Sequence, residues 1–509
     1  MIIALFVACK SSHLSYPFYW DESWPYAAAI KEMYLHGPSI IPGAINSDLS
    51  RGHPLFFHAA SAVWMRFFGP SNFSLHAFAL LISVTFLVFI YEALIRLFNA
   101  TVAGIGLLLI TTQVPFFVQS SFVLPEVLVA FMAFAGLVFY VCGRHVLTAL
   151  CLTILFFTKE SGLVLGLVLG FDALIGLFSK DCDWRIRLYR LLSVALPGLA
   201  IFIFFVLQRH LLGWYFFPSH TNLIVQKWGD FWYGFSVNCL VGVFNYNHRY
   251  YYFLLLSVLA TAVALKTKNL KFLIFAMPVA IGYCMVNVRL ASQLQGLLLL
   301  LLFHFSIAVM LFVLLKSENT FNTTQKRFVV LAWIFIVSYL LFTSVNFFTP
   351  RYLIAAIVPV MVTTAIIVNF LIDTAGKTVL YAFLVCSAVI AIKQFRGNRS
   401  FGDIDLGAFD GMYVHQKVVD YFEQNNYYDK SIGCLFMLNK NLVLPATGYL
   451  NGSKAFRKAA YTIDDKTDFA IFDNVETDYR YEFIKKDSNF HLVQRYEKGM
   501  VWAEIYARK

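Results

Sequence analysis

Residues 73–95 read FSLHAFALLISVTFLVFIYEALI, and Glu92 is the one formally charged residue in this run. A helix needs about 20 predominantly apolar residues to cross the hydrocarbon core of a bilayer, so the run predicts a transmembrane helix. Similar runs recur along most of the 509-residue chain, which is 59% hydrophobic and 14% charged, whereas a soluble domain is about 25% charged. The sequence therefore predicts an all-α polytopic membrane protein and disfavours a soluble all-α protein with a large core.

Twelve apolar runs are long enough, or nearly so, to cross a membrane. They fall at 73–95, 101–118, 126–142, 145–158, 161–178, 190–208, 251–266, 270–287, 293–315, 327–347, 352–373 and 377–393. A further run at the N-terminus has only nine residues, up to Cys9, before Lys10 interrupts it. Because this is too short for a full crossing, we expect a true start upstream of Met1 rather than a short helix that thins the membrane. The prediction is about thirteen transmembrane helices.

Lysine and arginine are concentrated in one set of alternate loops, which begins with Arg96. Such residues accumulate on the cytoplasmic side of a membrane. We therefore expect a protein of the cell (inner or plasma) membrane with its N-terminus in the cytoplasm and its C-terminal residues on the outer side. The outer loops then include 10–72 and 209–250. Segments 24–36 and 54–69 read as helices on the outer surface, because counting 54–69 as a span would invert every later loop.

The charge distribution divides the chain near Arg399. Residues 403–509 hold 16 of the 29 carboxylates and 14 of the 40 basic residues. We therefore predict a transmembrane module at 1–395 and an extracytoplasmic α/β domain at 396–509. In that domain the residue pattern predicts helices at 413–425, 453–460 and 478–486, strands at 431–437, 468–473, 490–496 and 500–507, and a hairpin turn at Lys498-Gly499.

The outer-side carboxylates of the transmembrane module are few, and ionisable groups are costly there, so each is a functional candidate. Asp21 and Glu22 are adjacent in the stretch FYWDESWPY, where aromatic residues typically anchor a protein at the lipid–water boundary. Partial desolvation would raise the basicity of such a carboxylate, as a general base requires. The alternative is a helix N-terminal acid that faces the dipole of helix 24–36. Glu126, which opens a predicted span, is by itself a plausible acid of the first helical turn.

Cations also lie at the predicted outer boundary. Lys159 sits between two spans in the stretch FFTKESGLV, where it could meet a lipid phosphate group. The alternative is a snorkelling lysine paired with its neighbour Glu160. Arg289 and Arg351 are at the same boundary, and Arg51 is in the first outer loop. Arginine suits phosphate because its planar guanidinium binds two oxygens at once.

Several common chemistries have no motif in this sequence. It contains no P-loop, no Gly-rich dinucleotide turn and no serine nucleophile elbow, and we expect no nucleic-acid partner. Asp403-Ile404-Asp405 resembles a nucleotide-sugar DxD motif, but chance explains two acids in so charged a domain equally well. The outer histidines His53, His210, His220 and His248 lack metal-ligand spacing, so we predict no metal site, while dependence on a divalent cation stays open. The eight cysteines are scattered and read as packing residues.

The sequence resembles the GT-C superfamily of membrane glycosyltransferases, specifically the group of protein O-mannosyltransferases and aminoarabinose (lipid A) transferases. The order and spacing of the shared motifs match over roughly residues 1–375. The motifs are Trp20-Asp21-Glu22, Arg51-Gly52-His53-Pro54-Leu55, Phe67-Phe68-Gly69, Pro125-Glu126, Thr158-Lys159-Glu160 and Pro350-Arg351-Tyr352-Leu353. Residues 400–509 are similar to the outer domains that such enzymes append, although no motif matches there.

The resemblance implies an inverting transfer of a sugar from a polyprenyl-phosphate donor of the undecaprenyl type. The acceptor would be a lipid, a glycan or a protein at the outer face of the membrane. The implied catalytic residues are Asp21 as the base, with Glu22 beside it, and Glu126 as a second acidic site. The implied ligands of the donor phosphate are Lys159, Arg51, His53, Arg351, Tyr352 and Arg289.

The sequence departs from the family pattern at three places. The family more often has Asp at the position of Glu126, Gly at that of Glu160, and Lys-Pro-Pro at Gly52-His53-Pro54. The last departure leaves open whether Arg51 or His53 replaces the phosphate-contacting lysine.

Two other function classes remain as alternatives. A lipid or glycan transporter tends to have internal repeats and charges at mid-membrane, whereas the charges here cluster at one boundary. A non-catalytic scaffold for envelope assembly would not need the acidic and basic motifs. Neither the sugar nor the acceptor can be read from the sequence.

Overall fold

The computed structural model describes residues 1–178, 183–268, 321–397 and 400–509. Two predicted spans, 270–287 and 293–315, and with them Arg289, lie outside the described residues. Helices dominate the part before residue 400, as the apolar runs predict. In chain order they are α1 Ile2–Ser11, α2 Tyr26–His36, α3 Ser47–Ser50, α4 Phe56–Phe68, α5 Asn72–Leu97, α6 Ala100–Thr111, α7 Val114–Gln119, α8 Glu126–Val141, α9 His145–Thr158, α10 Leu163–Leu177, α11 Trp184–Leu212, α12 Pro218–Thr221, α13 Trp228–Tyr233, α14 Tyr250–Thr267, α15 Thr323–Val345, α16 Ile354–Ala375 and α17 Lys377–Gly397.

Seven helical segments in the described ranges are long and apolar enough to cross a membrane. They are Asn72–Leu97, Glu160–Leu177, Trp184–Leu212, Tyr250–Thr267, Thr323–Val345, Pro350–Ala375 and Lys377–Gly397. Each coincides with a predicted span. Four other predicted spans form shorter apolar helices of 10–17 residues, namely α1, α6, α8 and α9. The multi-pass helical architecture is therefore confirmed, while the count of thirteen spans stays a prediction.

Helix α16 is the centre of the helical module. The apolar window of segment Pro350–Ala375 is 89% buried, whereas none of the other six is more than 56% buried. It packs against α6, α8, α14, α15 and α17. The short turn Pro350–Leu353 leads into α16, so this turn is held at one end of the most buried of these seven segments.

The two predicted surface helices are present as α2 and α4, which pack against each other. Helix α4 buries Phe57, Ser61 and Met65, which recur every four residues along one face. Its end leaves Phe67 and Phe68 exposed. An exposed aromatic end on an amphipathic helix is what an interfacial position requires, although that position itself remains a prediction.

The C-terminal domain has the predicted α/β composition. Its helices are α18 Gly407–Gln424, α19 Phe436–Val443 and α20 Tyr481–Lys486. Its strands are β1 Ile432–Gly433, β2 Ala459–Ala460, β3 Phe469–Asp473, β4 Phe490–Lys498 and β5 Val501–Arg508, in the order β2-β1-β3-β5-β4. Strands β1, β2 and β3 are parallel, and β5 pairs antiparallel with β3 and with β4. The predicted hairpin at Lys498-Gly499 joins β4 to β5.

Two local predictions in this domain are wrong. The segment 431–437 is a strand only at Ile432–Gly433, and Phe436 already begins helix α19. The segment 453–460 is not a helix, because its last two residues form strand β2 beside β1. In both cases pairing with distant residues overrides the local pattern.

Candidate active site

The acidic pair Asp21-Glu22 lies in a tight 3-10 turn, Trp20–Glu22. Trp20 has a φ of +50°, a left-handed conformation that is uncommon for a residue with a side chain. The carboxylate of Glu22 is fully buried and accepts hydrogen bonds from the backbone N–H of Tyr19 at 3.1 Å and of Val123 at 2.7 Å. Its Oε1 also lies 2.8 Å from Nε2 of His76. Glu22 thus fastens the turn to the helical module, and the turn presents Asp21 on its other side.

Arg351 gathers three carboxylates from distant parts of the chain. Its Nη2 donates to Asp21 at 2.5 Å, its Nε donates to Glu126 at 3.2 Å, and its Nη1 donates to Asp403. The Arg351 side chain is 6% exposed and that of Glu126 is 3% exposed, whereas 32% of the Asp21 side chain is exposed. Of the three carboxylates, Asp21 is therefore the one that can meet a substrate.

Lys159 extends this network through Glu126. Its Nζ lies 2.9 Å from Oε1 of Glu126, the same oxygen that accepts from Arg351. Its Nζ also lies 3.7 Å from the centre of the Tyr352 ring, a cation–π contact. The alternative of a snorkelling lysine paired with Glu160 is wrong, because Lys159 is buried and pairs with Glu126. A continuous chain of ion pairs thus joins Asp21, Arg351, Glu126 and Lys159.

A cavity of about 370 Å³ opens beside Lys159. Its polar end is formed by Arg51, His53, Lys159, Glu160, His220 and Tyr352. The rest of its lining is mostly apolar and includes Leu163, Val164, Leu167, Phe216, Ile224 and Phe342. Cationic groups combined with aliphatic and aromatic side chains suit an amphiphile with an anionic head.

The polar end of the cavity has a second ion pair. Nδ1 of His53 lies 2.9 Å from Oε2 of Glu160. The ring of His220, from helix α12, is 5.3 Å from that of His53. Burial lowers the pKa of His220 to about 4, so this imidazole is neutral at pH 7. Arg51 faces the indole of Trp24 at 5.1 Å, beside the same cavity.

The C-terminal domain contributes to the site through the segment 401–405, which we call the docking segment. The backbone oxygen of its first residue, Phe401, accepts from the hydroxyl of Tyr19 at 2.9 Å, and that of Asp403 accepts from Nε2 of Gln119 at 2.7 Å. Asp403 also pairs with Arg351, as described above. Burial raises the pKa of the Asp403 carboxyl above its usual value, although Arg351 opposes this.

Asp403 is the site residue that the sequence reasoning missed. For its motif, Asp403-Ile404-Asp405, the sequence left a functional motif and a chance pair of acids equally open. The available signal was position, since these are the first carboxylates after the last predicted span. A carboxylate that follows the last span by a few residues is close enough to contact the end of the helical module.

The structure brings most of the predicted site residues together, in two adjoining groups. Asp21, Glu126, Lys159 and Arg351 form the ion-pair network. Arg51, His53, Lys159 and Tyr352 line the cavity. Glu22 lies behind Asp21 with its carboxylate oxygens already bonded.

No family model matches the sequence, and no curated protein is significantly similar to it. Two solved structures match over 99% of this chain and 97% of their own, at 13% sequence identity. They are the crystal structures of ArnT from Cupriavidus metallidurans bound to undecaprenyl phosphate, with a TM-score of 0.53, and in the apo state, with a TM-score of 0.54. The chain shares the fold of ArnT. The expected resemblance is therefore confirmed at the level of the fold.

The likeness to ArnT spans both the helical module and the C-terminal domain, because nearly the whole of each chain is covered. At 13% identity it is a likeness of fold. The chemistry must therefore be argued from the residues of this chain. Within the described ranges, no group of three or more His, Cys, Asp or Glu side chains could hold a metal ion.

Proposed function

We propose that this protein is a membrane glycosyltransferase that moves a sugar from a polyprenyl-phosphate carrier to an acceptor hydroxyl at the outer face of the membrane, with inversion at the anomeric carbon. The fold of ArnT, one of whose structures holds undecaprenyl phosphate, supports the class of enzyme and of carrier. The acceptor would be a lipid, a glycan or a protein.

The observation that carries the proposal is the setting of Asp21. Its carboxylate is about one-third exposed, is held by Arg351 at 2.5 Å, and is connected through Glu126 to Lys159 at the mouth of an amphiphilic cavity. A transferase needs a base at the acceptor and cations at the leaving group, close to each other. A transporter would not need an oriented, accessible carboxylate at this place.

In the proposed reaction, Asp21 accepts the proton of the acceptor hydroxyl. The hydroxyl oxygen attacks the anomeric carbon, a new C–O bond forms, and the bond between that carbon and the phosphate oxygen breaks. The electron pair of the broken bond stays on the phosphate, which leaves as polyprenyl phosphate. Lys159 and Arg51 stabilise this growing negative charge at the polar end of the cavity.

We assign Arg351 to a different task from the phosphate binding that the resemblance implies. Its three guanidinium nitrogens already donate to Asp21, Glu126 and Asp403, and it does not line the cavity. It therefore acts as a positioning residue that orients Asp21. Glu22 has a similar task, because it anchors the turn that presents Asp21.

The proposal is tested by mass spectrometry of envelope lipids and glycans from cells with and without the gene. We expect one sugar modification to disappear when the gene is deleted and to return with the wild-type gene. An unchanged set of modified molecules, with an unmodified lipid or glycan retained on the inner leaflet, would instead identify a transporter. If neither the set of modified molecules nor the leaflet distribution of the unmodified lipid or glycan changes, the scaffold alternative is the one that remains.

A further inference from the structure

His53 and Glu160 form an imidazole–carboxylate pair at the polar end of the cavity. Nδ1 of His53 is 2.9 Å from Oε2 of Glu160, and the two side chains are 13% and 28% exposed. Among the described residues, Nε2 of His53 has no hydrogen-bond partner. Because Nδ1 is taken by the carboxylate, Nε2 is the ring nitrogen that a ligand in the cavity can reach.

The backbone on both sides of the pair is fixed. Gly52 has a φ of +73°, and a Cβ atom there would lie 2.9 Å from the ring of Trp214 and 3.0 Å from Phe217. Only glycine fits this close approach, which packs the residues just before His53 against the segment 209–250. Glu160 begins a 3-10 turn between α9 and α10. The pair is therefore built into the wall of the cavity.

The surroundings of His53 distinguish it from the other nearby imidazoles. The charged and titratable groups facing it are Arg51, Lys159, Glu160, His58 and His220. Burial lowers the pKa of His58 to about 3 and that of His220 to about 4, so both are neutral at pH 7. Of these three imidazoles, His53 is the one in contact with a carboxylate.

Resting on the proposed function, we propose that His53 is the acid that protonates the leaving phosphate, with Glu160 as the residue that positions and charges it. As the bond between the anomeric carbon and the phosphate oxygen breaks, the Nε2 proton of the imidazolium passes to a phosphate oxygen. Asp21 meanwhile takes the proton of the acceptor hydroxyl. After release, Asp21 loses its proton to water and His53 regains one, so the cycle is balanced.

Two features of this chain fit that role. His53 and Glu160 lie at two of the three places where the sequence departs from the family pattern, and the structure places them in contact. An imidazole, unlike an ammonium group, can exchange its proton near neutral pH, so we expect the affinity for the carrier phosphate to depend on pH.

The test measures binding of undecaprenyl phosphate to the full-length protein in nanodiscs of uncharged lipid, between pH 5.5 and 8.5. His53→Gln should weaken binding about 10-fold at pH 6, the loss of one charge-assisted hydrogen bond, and should flatten the pH dependence relative to wild type. His53→Lys should keep the affinity and show the same flattened pH dependence. Glu160→Gln should move the fall in affinity to lower pH. The phosphate titrates in every variant, so only the differences between variants report on His53.

Three outcomes separate this inference from the proposed function. If His53→Gln keeps the wild-type affinity and slope while Lys159→Ala binds weakly, His53 is not the acid and the carrier proposal stands. If the wild type itself does not bind undecaprenyl phosphate, both proposals fall. If His53→Gln does not fold, Glu160→Gln decides, because an unchanged pH profile in that variant overturns the pair.

Discussion

Replacing Arg351 by lysine tests whether one guanidinium holds the site together. Lysine keeps the positive charge, but its single ammonium group cannot reach Asp21, Glu126 and Asp403 as the three N–H donors of arginine do. At least two charge-assisted hydrogen bonds are lost. Each contributes about 1.5–3 kcal/mol, so we expect the free energy of unfolding to fall by about 3 kcal/mol or more.

The burial of these ion pairs gives a similar estimate of the loss in the free energy of unfolding. The side chains of Arg351, Glu126 and Asp403 are no more than 10% exposed. A buried carboxylate that the lysine cannot reach loses its Arg351 partner, and the loss of one partner from a buried ion pair costs about 3–5 kcal/mol. The ion pair with Asp21, whose side chain is about one-third exposed, contributes less to this loss because water screens it. Both estimates predict a large loss of stability from a substitution that conserves charge.

The measurement is denaturant unfolding of the purified protein in one detergent, followed by tryptophan fluorescence. The matched control is Arg327→Lys, because within the described ranges Arg327 pairs with a single carboxylate, Asp172, and both side chains are about one-quarter exposed. That variant should lose no more than about 1 kcal/mol. Equal losses in the two variants would refute the view that Arg351 joins three segments of the chain.

Three further predictions concern the carrier, pH and orientation. Lys159→Ala should weaken binding of undecaprenyl phosphate about 10-fold, whereas Lys31→Ala, on the exposed face of α2, should not change it. Burial lowers the pKa of His58 to about 3 from an ordinary 6.5. Between these two pH values the His58 imidazole binds a proton in the unfolded chain but not in the folded one. Stability should therefore fall as pH drops below 6.5, and between pH 7 and 5 the wild type should lose about 2 kcal/mol more than His58→Gln in denaturant unfolding. In a protein whose native cysteines are replaced by serine, Ser488→Cys should react with an impermeant thiol reagent added outside, and Arg144→Cys should not. The reverse labelling would show that the orientation is opposite to the predicted one.

The helical module was largely predictable because its elements are long and nearly uniform in composition. The run at 73–95 became helix α5, Asn72–Leu97, and the ends differ by one or two residues. A bilayer-length apolar run has few alternatives, since its backbone must satisfy its own hydrogen bonds. The acidic and basic motifs were found for the same reason, as charges stand out against an apolar background.

The C-terminal domain was less predictable because its elements depend on distant partners. Helix α19 starts where the backbone N–H of Met437 donates to Glu476 at 2.6 Å, a contact that no local pattern indicates. Strand β2 exists because Ala459 pairs with Ile432. Asp403 was missed for a related reason, since its meaning comes from Arg351, on a helical turn that precedes it by 52 residues.

The central claim, that Asp21 is the base of a sugar transfer, is tested most directly by Asp21→Asn. Asparagine keeps the size and an oxygen that can accept from Arg351, but it cannot take a proton at neutral pH. The assay is the rate of transfer by the purified enzyme, with the donor and acceptor that the mass comparison identifies.

We predict that Asp21→Asn lowers the transfer rate by about 10²–10⁴-fold while binding of undecaprenyl phosphate stays near wild type. The control is Glu32→Gln, which removes a half-exposed acid of the same predicted outer loop, whose one ion pair among the described residues is with His36. This variant should keep most of the activity. If Asp21→Asn and Glu32→Gln transfer sugar at similar rates, Asp21 is not the base and the account is wrong at its centre.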